Sequence, residues 1–181
     1  MLPCLKNSTL LVVDVQERLL PAMHEPDRAP LIKGITILLK AFEECGGHIL
    51  YSEQYPQGLG PTVAPLAECL AGCARLEKKH FSVCKAPDYQ TYKSTIQEHV
   101  VLVGIETHVC VLETGLDLLA DGHQVWVPFD AVASRRPAYR DNGLALLKEA
   151  GATVVNAETL LFHQLESADS THFKHFSRLI R

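Results

Sequence analysis

A chain of 181 residues, 47% hydrophobic and 21% charged, has an ordinary globular composition and the size of one domain, here residues 1–181, with core enough to need no staples. Its net charge of -4 excludes the basic footprint of a general nucleic-acid binder, and no stretch approaches the ~20 apolar residues of a transmembrane helix. The six cysteines fall mostly inside helix and strand patterns with no secretory signal ahead of them, which points to free thiols in a reducing, cytoplasmic setting.

Residues 9–15, "TLLVVDV", form an apolar run broken by Asp14, as expected of a parallel strand buried on both faces. Leu31, Ile35, Leu38, Leu39 and Phe42 recur at helical spacing over residues 30–45, and Gly46-Gly47 stops that helix. "HILYSEQ", residues 48–54, reads as the second strand. The Pro- and Gly-containing loop "YPQGLGPTVAP" follows, then a short helix over residues 65–71 and a third strand in "ARLEKKHF". A polar helix is predicted within residues 88–97. "HVVLVGI" is the fourth strand, and "VCVLETGLDLLADG" is the next helix, ended by Gly122. "HQVWVPFDA" is the fifth strand. Ser134 is predicted to cap the following helix, with Pro137 in its first turn and Gly151 past its end. "ATVVNA" is the sixth strand, and two short helices close the chain. There, His172 and His175 read as a solvated face, and Lys174, Arg178 and Arg181 as charges complementing the helix dipole.

Strands alternating with helices imply right-handed crossovers and a parallel sheet with helices on both faces. Ligands of such sheets bind beyond the carboxyl ends of the strands. At those ends stand Asp14 and Gln16 after strand one, Lys78 and Lys79 after strand three, and Cys110 after strand four. A helix N-terminus and a nearby lysine would lower the thiol pKa and favour thiolate. Asp14 could take the thiol proton and return it to a leaving group. In the order 3-2-1-4-5-6, strand three is two positions from strand one, roughly 10 Å at ~4.8 Å per strand. Only a long side chain covers that gap. The residues alone do not choose between Lys78 and Lys79, which alternation sends to opposite faces.

"LLVVDVQ", "LEKKHFS" and "GIETHVCV" resemble the signature segments of the isochorismatase-like cysteine hydrolases. "SEQYPQGLGPT", "DAVASRRP" and "HFKHFSRLIR" resemble the subgroup of isochorismatase-domain-containing proteins. The resemblance runs from about Ser8 to the C-terminus. It implies a three-layer αβα sandwich with a six-stranded parallel sheet in the order 3-2-1-4-5-6. It places the acid at Asp14, the lysine at Lys78 and the nucleophile at Cys110. It also implies a cis Ile105–Glu106 peptide, with the backbone N–H groups of Glu106 and Cys110 as oxyanion donors. Nicotinamidases of this family hold a metal through an Asp-x-His pattern after strand two. "SEQYPQG" has no histidine there, so no metal and no cofactor is expected. Relatives that cleave a vinyl ether lack the cysteine, which turns the expected substrate toward a small amide or related C–N compound.

Gln16, Tyr55, Gln57 and His108 are candidates for the substrate pocket. Arg135 and Arg136 read as surface charge, with an anionic substrate group as the alternative. The expected protein is therefore a cysteine hydrolase working through a Cys110 thioester on a small molecule. It is expected to have no nucleic-acid or membrane partner and, by resemblance, to assemble as a homo-oligomer. The competing expectation is a catalytically weak interaction protein that keeps the fold.

Overall fold

The computed structural model describes every residue except Met1, Glu166, Ala168, Thr171 and Arg181, and of His175 only the backbone. The expectations for His175 and Arg181 therefore lie outside the described residues. The strands are β1 (Ser8–Val13), β2 (His48–Gln54), β3 (Ala74–Lys78), β4 (His99–Ile105), β5 (Gln124–Pro128), β6 (Val132–Ala133) and β7 (Thr153–Val155). The helices are α1 (Glu25–Cys45), α2 (Pro56–Leu59), α3 (Ala64–Cys69), α4 (Tyr89–Lys93), α5 (Leu112–Ala120), α6 (Pro137–Glu149), α7 (Ala157–Leu165) and α8 (Phe173–Leu179).

The sheet is parallel in the order β3-β2-β1-β4-β5-β7, with the two-residue β6 pairing β4. This is the expected order, with one short strand more than the six expected. β1 shows why both sheet faces are covered. Its side chains alternate, so Leu10 and Val12 join one core cluster with Ile35, Leu38 and Phe42 of α1. Leu11 and Val13 join the other, with Leu118 of α5 and Leu147 of α6. A strand buried on both faces needs an unbroken apolar run, and β1 is buried throughout.

Several boundaries differ from the pattern. α1 begins at Glu25 and keeps Pro30 inside; a proline near a helix start removes one backbone bond but does not end the helix. α4 is a single short turn of helix. Gly46 closes α1 in the left-handed region at φ 69°, as expected of a glycine cap. α6 is capped by Arg136, not Ser134; the Ser134 hydroxyl is engaged elsewhere. Among the described residues no helix is long and apolar enough to cross a membrane.

Gly104 positions the site. It pairs with Val13 across β4 and β1 and has φ 118°. A Cβ there would stand 2.1 Å from the Val13 carbonyl oxygen. Only glycine permits both the backbone angle and the approach. The end of β4, and the Cys110 segment beyond it, are thereby brought against the end of β1.

Candidate active site

β1 ends at Val13, and Asp14 leaves it with a left-handed φ of 53°, a region that Asp tolerates better than most residues. Its carboxylate is fully buried. Oδ1 accepts a hydrogen bond from Ser52 Oγ at 2.7 Å, and Oδ2 accepts one from Lys78 Nζ at 2.6 Å. Ser52 can do this because β2 sets it beside Val13. Lys78 comes from the end of β3 and reaches past β2, where it pairs in register with Gln54. Gln54 Oε1 accepts a second bond from Nζ at 2.7 Å, so the intervening strand supplies a polar stepping point. Lys78 is inward and Lys79 exposed, as alternation requires.

Cys110 completes the cluster. Its thiol lies near enough to Asp14 and Lys78 for both to act on its titration. It lies in a π-helical turn, Thr107–Val111, that precedes α5, not at the bare N-terminus of an α-helix as expected. The Ile105–Glu106 peptide is cis. Gly143 of α6 packs against this turn: a Cβ there would stand 2.9 Å from the Thr107 carbonyl oxygen and 3.0 Å from the His108 nitrogen.

The electrostatics correct one expectation. The thiol pKa is not lowered but pushed up to about 12. Burial is the main cause, and the Asp14 charge adds to it; Lys78 opposes both but falls short. The lysine charge is already spent on the carboxylate. Burial also pushes Asp14 above the usual carboxylate range, against the pull of Lys78 and Ser52. At rest the sulfur is therefore a thiol beside a base, not a preformed thiolate.

Cys110 opens onto a cleft of about 370 Å³. Its walls are apolar, from Leu19, Leu59, Phe81, Ile105 and Val109; Gln54, Glu106 and Arg135 supply the polar part. Glu106 is buried beneath Arg135. Its Oε2 accepts from the Arg135 backbone N–H and from Nε, each at 3.0 Å. Its Oε1 accepts from Nε at 3.2 Å and from Nη2. Burial pushes the Glu106 carboxyl up, but these bonds, the Arg135 charge and His108 outweigh it and hold it below its ordinary range. A larger hollow of about 510 Å³ runs from Glu77 to Asp88; it includes neither Asp14 nor Cys110.

Four sequence candidates, Gln16, Tyr55, Gln57 and His108, are not among the residues lining this cleft. Gln16 is fully buried and its amide is spent: Nε2 donates to the carbonyls of Gln54 and Gly60, and Oε1 accepts from the Gln54 N–H. It ties the end of β2 to the following loop. Tyr55 is exposed and its ring lies over Gly58, while Gln57 donates to Glu77. His108 braces the turn that carries Cys110, with Nδ1 3.0 Å from Ser134 Oγ. Ser52, Gln54 and Phe81 were not singled out in the sequence. The available signal was polar Ser52 and Gln54 two apart, on one face at the tail of a buried strand.

Among the described residues no group of three or more His, Cys, Asp or Glu side chains is placed to hold a metal ion. All six cysteines are unbridged.

A parallel sheet flanked by helices in this order is the architecture of the isochorismatase-like hydrolases. The chain belongs to the isochorismatase family: the isochorismatase domain matches residues 8–159. Isochorismatase domain-containing protein 2A of Mus musculus is 33% identical over 177 residues, covering 97% of this chain and 84% of the relative. The Homo sapiens isochorismatase domain-containing protein 2 is 34% identical over 176 residues, covering 97% and 83%. A solved structure described as MAR1 ribonuclease from Caenorhabditis elegans superposes with a TM-score of 0.90 at 35% identity, covering 99% of this chain and 92% of that one.

Proposed function

We propose that this chain is a cysteine hydrolase acting on a small amide or related C–N compound, folded as one domain over residues 1–181. One observation carries the reading: a thiol within electrostatic reach of a buried, paired carboxylate and ammonium at the wall of an apolar cleft. As Sγ of Cys110 attacks the carbonyl carbon, its proton passes to Asp14 and the C=O electrons move onto oxygen. The backbone N–H groups of Glu106 and Cys110 are the donors assigned to that oxyanion. Collapse expels the amine, which takes the proton from Asp14 and leaves a thioester. Water, losing a proton to Asp14, then attacks the thioester, releasing the acid and restoring the thiol. Lys78 holds the carboxylate in place through both steps.

YcaC of Pseudomonas aeruginosa, 22% identical with a TM-score of 0.82, has been solved with covalent acrylamide, which makes acrylamide a suitable probe. The test measures ammonia release from a panel of small amides by the wild type and by Cys110→Ala, with mass spectrometry of the trapped acyl adduct. Turnover confined to the wild type, with the adduct on Cys110, is expected; equal turnover by the variant would remove the mechanism. RNA is assayed beside the panel by strand cleavage, since its hydrolysis releases no ammonia, because of the C. elegans relative's description. The net charge of -4 and the apolar walls favour the amide.

A second reading, a catalytically weak interaction protein, draws on the protonated resting thiol. Ammonia release and RNA cleavage no greater than those of Cys110→Ala would select it. Assembly into a homo-oligomer is part of the first reading, supported by the octameric YcaC of Escherichia coli; sedimentation velocity tests it.

A further inference from the structure

Arg135 is half-exposed while Glu106 beneath it is buried, and both line the cleft that holds Cys110. The pair is not symmetric toward a ligand. Both Glu106 oxygens are taken up by Arg135, through its backbone N–H, Nε and Nη2, and His108 Nδ1 lies 4.0 Å from Oε2. On the guanidinium, Nη1 makes no hydrogen bond among the described residues. A planar guanidinium gripped along its Nε–Nη2 edge cannot turn, so the two N–H bonds of Nη1 keep a fixed direction. Arg135 thus brings oriented, unspent donors to the lining of the cleft, and the acceptor that balances their charge is covered.

We infer that Arg135 reads an acidic or strongly accepting group on the substrate, so that the preferred C–N compound carries a carboxylate at the end opposite the scissile bond. This rests on the hydrolase reading for the identity of the scissile bond, but the recognition of the anion is measurable without turnover. The Glu106 side chain acts here as a positioning group: its carboxylate holds the guanidinium and touches no substrate. The five apolar walls of the cleft suit a short hydrocarbon spacer between the two polar ends. An ammonium in place of the carboxylate would face Nη1 and be rejected.

Three amides of matched length separate the cases: succinamate, butyramide and 4-aminobutyramide. Their binding to Cys110→Ala is measured by NMR titration, with no chemistry required. Succinamate is expected to bind about fivefold more tightly than butyramide, the scale of a half-exposed charge pair, and 4-aminobutyramide more weakly than either. The advantage of succinamate should shrink with added salt and vanish in Cys110→Ala/Arg135→Gln. Arg135→Lys is the companion variant should the glutamine variant fail to fold. Its ammonium still neutralises Glu106 but presents no fixed outward pair of donors, so it too should lose most of the preference. Equal binding of the three amides, no saturable binding of succinamate, or a preference that survives both substitutions would overturn the inference. Failure of the hydrolase reading gives a different result: the binding order is kept, and the wild type releases ammonia from none of the three.

Discussion

The ammonium of Lys78 lies 2.6 Å from Oδ2 of Asp14, although the two residues leave strands separated by β2 and both side chains are wholly shielded from solvent. Neither charge is tolerable in that position without the other.

Removing one partner should therefore cost far more than removing both. Lys78→Met is expected to lower the unfolding free energy by roughly 3–5 kcal/mol, because the buried carboxylate is left uncompensated. Asp14→Asn combined with Lys78→Met should recover a large part of that loss. Urea denaturation of Lys78→Met, of Asp14→Asn and of the double variant checks this; a double variant as unstable as the two single losses added together would contradict the pairing.

The Cys110 thiol makes stability fall at high pH. Its pKa is 9.0 ordinarily and about 12 in the folded chain, so the native state holds the proton more tightly than the unfolded one. That contribution is complete below pH 9 and is lost as the pH rises from there toward 12. Burial raises Cys84 and Tyr89 as well, so some alkaline loss is shared by every variant. The diagnostic quantity is the stability difference between the wild type and Cys110→Ala. It should move against the wild type between pH 9 and 11; a constant difference would show that the thiol is not shifted.

Glu106 has the opposite sign. Its folded pKa lies below the ordinary 4.5, so its contribution is present above that pH and disappears as the pH falls through the lower folded value. The stability advantage of the wild type over Glu106→Gln, measured by urea midpoints, should be constant from pH 7 to 5.5 and shrink below 4.5. An advantage that grows in acid would reverse the assignment.

Gly104→Ala should be among the most damaging single-methyl additions. It meets the Val13 carbonyl oxygen at 2.1 Å and an unfavourable φ together, for a loss of roughly 3 kcal/mol or more. Gly72→Ala is the control, because φ is also positive there but nothing lies within 4 Å. Thermal unfolding of the two compares strain alone with strain plus collision. Equal losses would mean that the close approach of β4 to β1 is not what demands glycine.

The layered architecture was legible because it depends on neighbours along the chain. The unbroken apolar run "LLVV" determines that both faces of β1 are covered, and Gly46 determines where α1 stops. The convergence of Asp14, Lys78 and Cys110 at the strand ends was legible for the same reason: strand direction is a property of the crossover pattern. Ser134 shows the limit. Its sequence context suits a helix cap, but the hydroxyl serves His108, a partner 26 residues away that local pattern does not reveal. Gln16 and Tyr55 stand near the right strand ends, yet backbone direction after the strand turns one into a strut and the other toward solvent.

The amino-acid sequence by itself determined which residues could form a reactive cluster, because strand, turn and helix preferences act over a few bonds. Only the tertiary structure decided the state of that cluster. Whether Cys110 rests as thiol or thiolate, and whether Arg135 is loose surface charge or a guanidinium held by Glu106, depends on burial and on opposing charges a few ångströms apart. Those distances are set by packing between segments remote in the chain.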